Sequence, residues 1–142
     1  MKYPDILTPT THGPAIEPPF NGAVLIEDGV DPDFDISCLK LLPVEGCATV
    51  EEIVCLGQSK PETNWSQRVA LKVYAAGNAG QISKEVWPVG VCAYFTKTVW
   101  RGPAGRDRYV WYVIRYEDGF YCDCLWFDYD VDSDDRLPSS RK

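Results

Sequence analysis

Histidine is almost missing from this chain of 142 residues: the single copy, His12, stands between Thr11 and Gly13 in a proline-rich stretch. Ser-His-Asp and Cys-His catalysis need an imidazole held beside a nucleophile, and one histidine in an extended segment makes a poor general base. Nucleotide loops are missing too. Neither G-x-x-x-x-G-K-[ST] nor G-x-G-x-x-G occurs, so the backbone phosphate cradles of those spacings are not expected, and Gly102-Pro103-Ala104-Gly105 reads as a connection between strands. Apolar runs are short. Ala23 to Ile26 and Val110 to Ile114 fall far below the roughly 20 residues of a membrane-crossing helix, and the N-terminal residues lack the basic-then-apolar order of a secretory leader. Contact with a membrane is not expected, and the expected location is the cytoplasm or a virus particle.

Cysteine is present, but not in the pairs that bind zinc. Cys38, Cys47 and Cys55 are widely spaced, Cys92 is alone, and Cys122 and Cys124 are separated by one residue; a zinc ribbon shows C-x-x-C knuckles. Without a leader or knuckles the six are expected to be reduced and largely buried, as small hydrophobes. No cofactor is implied.

Length and composition fit one globular domain with a hydrophobic core: 45% of residues are hydrophobic and 13% aromatic. The formal net charge of −7 is unevenly placed. Residues 1–60 hold three basic and ten acidic residues, which is the whole imbalance, and the rest of the chain holds eleven of each. An acidic half repels nucleic-acid phosphates and attracts basic protein surfaces.

Along the chain, residues 1–20 carry Pro4, Pro9, Pro14, Pro18 and Pro19 with almost no hydrophobic period, which predicts an extended arm. A β-rich domain is expected over residues 21–131 and a polar tail over 132–142. Strands are expected at Ala23 to Ile26, Ile36 to Leu42 and Val91 to Trp100. Thr49-Val50-Glu51-Glu52 fits a capping box and predicts one short helix over 50–56, with Gly57 as its C-terminal cap. Val69, Leu71, Val73 and Ala75 alternate with Arg68, Lys72 and Tyr74 and predict a half-buried strand over 67–75.

The richest stretch is Tyr109 to Tyr129, two strand-forming runs around Asp118-Gly119. That dipeptide favours a two-residue type I′ turn, which pairs Glu117 with Phe120 and Arg115 with Cys122. Trp111, Val113 and Arg115 then share a face with Cys122, Cys124 and Trp126, and Val110, Tyr112, Ile114 and Tyr116 share the other with Tyr121, Leu125 and Phe127. Both faces are apolar, whereas a hairpin with one wet face alternates. One face therefore covers the core, and the arm, a second layer or a partner covers the other. The fold expected is α+β and β-rich, a small antiparallel sandwich or barrel with one short helix and an extended N-terminal arm.

Function follows from surfaces more than from chemistry. Tyr112, Tyr116, Tyr121 and Phe127 are candidate contacts because interfaces favour aromatic anchors. Arg101, Arg106 and Arg108 form a small basic rim, and Asp31, Asp33 and Asp35 an acidic turn. Four bases around residues 97–108, interleaved with acids, are few for nucleic acid, and that partner is not expected. Asp128 to Asp135 opens like a calcium loop, but Ser133 stands where glycine is needed and Ser139 where a bidentate glutamate is needed; an exposed acidic strand end is expected, with no metal. The protein is expected to be no enzyme but a protein-binding module, an accessory or structural subunit of a larger assembly such as a virus-particle decoration or connector protein. The alternative is a small acidic inhibitor, of the toxin-immunity or anti-defence kind, that blocks a basic surface on an enzyme. A metal-dependent hydrolase comes third.

Overall fold

A computed structural model describes residues 18–103 and 105–140. His12, most of the expected arm, Ala104 and the last two residues lie outside the described residues. The elements in chain order are β1 (Val24–Glu27), β2 (Lys40–Pro43), α1 (Val50–Gln58), α2 (Gln67–Asn78), β3 (Cys92–Arg101), β4 (Arg108–Tyr116), β5 (Gly119–Trp126) and β6 (Asp135–Ser139). The fold is mixed α+β. Its six strands form one open sheet in the order β2-β6-β3-β4-β5, with β1 paired to the far half of β3. The pairs are antiparallel except β6 with β3, which is parallel.

The sheet does not close into a barrel, and a helix covers each of its faces. On one face Val69, Ala70, Val73 and Ala76 of α2 pack with Ala93, Phe95, Val113 and Phe120. On the other, Val50, Ile53 and Val54 of α1 pack with Tyr94, Val99, Val110 and Phe127. The two apolar faces of the hairpin thus pack against two helices, and the described residues form no second sheet.

Residues 67–75 belong to a helix, not the expected strand. Val69 and Val73 are four apart, a spacing that keeps one face in either geometry. The buried set continues at Ala70, Ala76 and Gly77 while Leu71 is exposed, which only the helical period allows. The start is fixed by Ser66, whose hydroxyl accepts from the Arg68 amide at 3.1 Å. In α1 the Thr49 hydroxyl does accept from the Glu52 amide, at 3.4 Å. The helix runs on through Gly57, which is no cap: a Cβ there would lie 2.6 Å from Thr96 Oγ1, so the glycine lets α1 approach the sheet. The expected strand from Ile36 is a 3-10 turn, Ile36–Cys38, followed by β2, because Asp35 accepts from the Ser37 amide at 2.9 Å and starts the turn.

In the hairpin, Tyr116 pairs with Gly119 and Arg115 with Phe120, a slip of two residues from the expected register. Glu117 and Asp118 form the turn, and neither has positive φ, so the turn is not type I′. Gly119 alone takes the unusual φ of 145°. A slip of two keeps every side chain on its expected face. As the last strand in the order, β5 exposes a backbone edge, and Asn78 plugs it at one point. Its side chain donates to the Phe120 carbonyl at 3.1 Å and accepts from the Phe120 amide at 2.8 Å, blocking strand addition there. The residues expected as a polar tail include β6, which lies inside the sheet between β2 and β3. Ser140, just beyond it, brackets Asp35, accepting from its amide and donating to its carbonyl.

Between Phe95 and Val99, β3 bulges away from β4. The extra residues join both helices to the strand: Gln58 at the end of α1 donates to the Thr96 carbonyl at 2.9 Å, and the Gln67 amide at the start of α2 donates to Thr98 Oγ1 at 2.9 Å. Thr98 in turn donates to Asp28 at 2.8 Å, and Arg68 grips the same carboxylate at 2.8 and 3.2 Å.

Candidate functional site

The two helices differ in reach. At 1.5 Å per residue, the nine residues of α1 span roughly 13 Å, while the nine residues of β4 extend roughly 30 Å. α1 covers the end of its face that carries Val110 and Phe127 and leaves the end near the hairpin turn uncovered. A groove of about 230 Å³ opens there. Its walls include Tyr94, Tyr112, Tyr116 and Tyr129, and Asp130, Asp132 and Asp135 line it with Cys92.

Asp135, the first residue of β6, is buried, with only 5% of its surface exposed. Its carboxylate accepts from the Asp132 amide at 3.1 Å, and Cys92 and Tyr94 line the same groove beside it. Burial, then the nearby Asp132 and Asp134, push the Asp135 carboxyl above its usual range, against the pull of its hydrogen bonds. Burial also pushes the Cys92 thiol and the Tyr94 phenol far up, and the Tyr112 phenol up to about 12. At neutral pH these three hold their protons, so none of them is a ready thiolate or phenolate nucleophile. Among the described residues no three histidine, cysteine, aspartate or glutamate side chains converge to hold a metal ion.

The raised Asp135 carboxyl has a thermodynamic consequence. The native form binds this proton more tightly than the unfolded chain does, so the group's contribution to stability falls as pH rises from 3.8 through the raised native value. Asp135→Asn removes that dependence. The difference in melting temperature between Asp135→Asn and the wild type should therefore shift in the variant's favour as pH rises across that interval; parallel profiles would contradict the assignment.

The residues singled out from sequence are divided by the fold. Tyr112 and Tyr116 line the groove. Tyr121 lies beside Tyr116, with ring centroids 5.4 Å apart, and its hydroxyl donates to Asp118. Phe127 is buried beneath α1, with the Arg108 guanidinium 4.7 Å above its ring. Arg108 and Arg101 are cross-strand neighbours at the opposite end of the same face, where Arg108 pairs with Glu51 at 2.9 Å; Arg106 is exposed in the preceding loop. Asp31 accepts from the Ser66 amide and hydroxyl and lies 3.6 Å from Lys97, and Asp35 starts the turn described above. Asp33 is exposed. Two acids of the supposed acidic turn are thus engaged within the fold.

Sequence reasoning did not find Tyr94, Tyr129 or Asp135 as members of a site. The run Asp128 to Asp135 was visible, but only the return of β6 beside β3 turns its last member inward. Comparison with protein-family models, curated proteins and solved structures found no match to this chain.

Proposed function

We propose that the protein is a non-catalytic protein-binding module, an accessory or structural subunit of a larger assembly, and that it binds through the uncovered end of its sheet. One observation carries this reading: Tyr116 and Tyr129 line the groove while 49% and 55% exposed, and Tyr121, 46% exposed, lies beside Tyr116 at its rim. Tyrosine and tryptophan supply large contact area and a polar tip, the residue types that dominate binding energy in interfaces. The virus-particle role and the proline-rich arm as an anchor belong to this reading. Phe20 packs edge-on against Tyr109 with centroids 5.0 Å apart, so a deletion that tests the arm should stop before it.

A second reading, a small acidic inhibitor of an enzyme with a basic surface, is favoured by the acids around the same end. Asp123, across the strands from Tyr112, and Asp130, Asp132 and Asp134 are all exposed. Binding of that kind is 1:1 and weakens as salt rises. Both readings place the contact at the tyrosines. The test is retention of a partner from the native source by the wild type and by a Tyr116→Ser/Tyr121→Ser variant of unchanged melting temperature.

A further inference from the structure

We propose that the groove at the uncovered end of the sheet receives a basic side chain of the partner, an arginine above all, between its tyrosine rings and its aspartates. This inference rests on the protein-binding reading and names what that site recognises.

The aromatic lining is the first ground. Tyr94, Tyr112, Tyr116 and Tyr129 border one space, and the rings of Tyr94 and Tyr112 stand 6.3 Å apart at 48°. Aromatic faces carry negative potential and attract an organic cation within about 6 Å. Uncompensated charge is the second. Asp130, Asp132 and Asp135 line the same space, and no lysine or arginine does. The ion pairs among the described residues use Asp28, Asp31 and Glu51 instead. Asp135 is buried without a cation, a costly state that an entering positive group would relieve.

Geometry then separates an organic cation from a metal ion. The groove is broad and walled by rings, and its carboxylates do not converge as metal ligands do. A guanidinium suits it better than an ammonium: it is planar, stacks on aromatic faces, presents a fork of donors to carboxylates and is more weakly hydrated. The position also fits a protein source. The groove is continuous with the exposed Tyr121 pair, so a partner chain resting on the tyrosines could place one long side chain into it.

The probe is a blocked tripeptide, acetyl-Gly-Arg-Gly-amide, titrated into the intact protein and followed by backbone amide and tyrosine ring NMR shifts. Shifts at Tyr112, Tyr116, Tyr129, Asp132 and Asp135 are expected, with the millimolar dissociation constant (roughly 4 kcal/mol) of a single anchored residue. The citrulline counterpart, equal in shape but uncharged, should bind at least about tenfold more weakly. The exposed pair Asp130→Asn/Asp132→Asn should weaken the arginine peptide by about the same factor while keeping its melting temperature. Free guanidinium chloride at matched low concentration separates the sources: groove shifts as strong as the peptide's would show a small-molecule site and overturn the partner assignment. Equal binding of the citrulline peptide, shifts confined to other acids such as Glu51 and Glu52, or no shifts would also overturn it. Those failures leave the broader reading intact if partner retention still depends on Tyr116 and Tyr121; loss of that dependence defeats both.

Discussion

Replacing Trp87 by alanine is expected to destabilise the protein by about 3–5 kcal/mol, a large part of the roughly 5–15 kcal/mol that holds a domain folded. Trp87 lies in the connection between α2 and β3 and is fully buried. Its indole N–H donates to the Val91 carbonyl at 2.8 Å, and its ring meets Phe120 edge-on with centroids 5.4 Å apart. Arg115 stacks over the other side of this assembly, 4.9 Å from the Phe120 ring, and donates to the carbonyls of Ile82 and Trp87. Removing the indole opens a cavity in a rigid setting and leaves the Val91 carbonyl with only the longer bond from the Arg115 amide, at 3.3 Å. Thermal denaturation should show a fall of roughly 10 °C or more. Trp126→Ala, at a 38% exposed position, should change it far less. Equal effects would mean that the connection does not anchor the hairpin.

The second large effect is expected at Asp28. Its carboxylate is 4% exposed and takes donors from Arg68 and Thr98, so it joins the chain after β1 to the first turn of α2 and to the bulge in β3. Asp28→Ala leaves the partly buried Arg68 without this carboxylate, and breaking such a pair from one side costs about 3 kcal/mol. Removing both charges as Asp28→Leu/Arg68→Met should recover most of that loss in chemical denaturation, because two apolar groups avoid the desolvation of an unpaired ion. A double variant no better than Asp28→Ala would show that the hydrogen bond from Thr98, and not the ion pair, is the main contribution.

Asp28 and Trp87 also show how far the sequence could be read. The faces of the hairpin were legible from Tyr109 to Phe127, since alternation of side chains survives an error of two in register. The turn was not, because Asp118-Gly119 is compatible with more than one tight turn and only the backbone decides between them. Helix α2 was hidden by Val69 and Val73, whose spacing serves strand and helix alike; Ser66 as a cap and the small residues Ala70, Ala76 and Gly77 were the available signals. Gly77 is the plainest of these: a Cβ there would come within 2.4 Å of the Phe120 ring. Acidic residues were the least legible. Composition counts Asp28, Asp31 and Asp35 as an acidic surface, but long-range contacts to Arg68 and Ser66, which no local pattern announces, absorb the first two, and the turn at Ser37 takes up the Asp35 carboxylate. The same holds for the groove, which exists because α1 is shorter than the strand it covers.

The central claim is that the uncovered tyrosines hold a partner while the two helices hold the fold. The most direct measurement is quantitative recovery of proteins bound to the wild type and to Tyr116→Ser/Tyr121→Ser from the native source. The account predicts one protein retained in a fixed ratio to the wild type, and retained at least about tenfold less by the variant, as expected when two aromatic anchors of about 1 kcal/mol or more each are removed, with no change in melting temperature. Retention unaffected by the double substitution would contradict it.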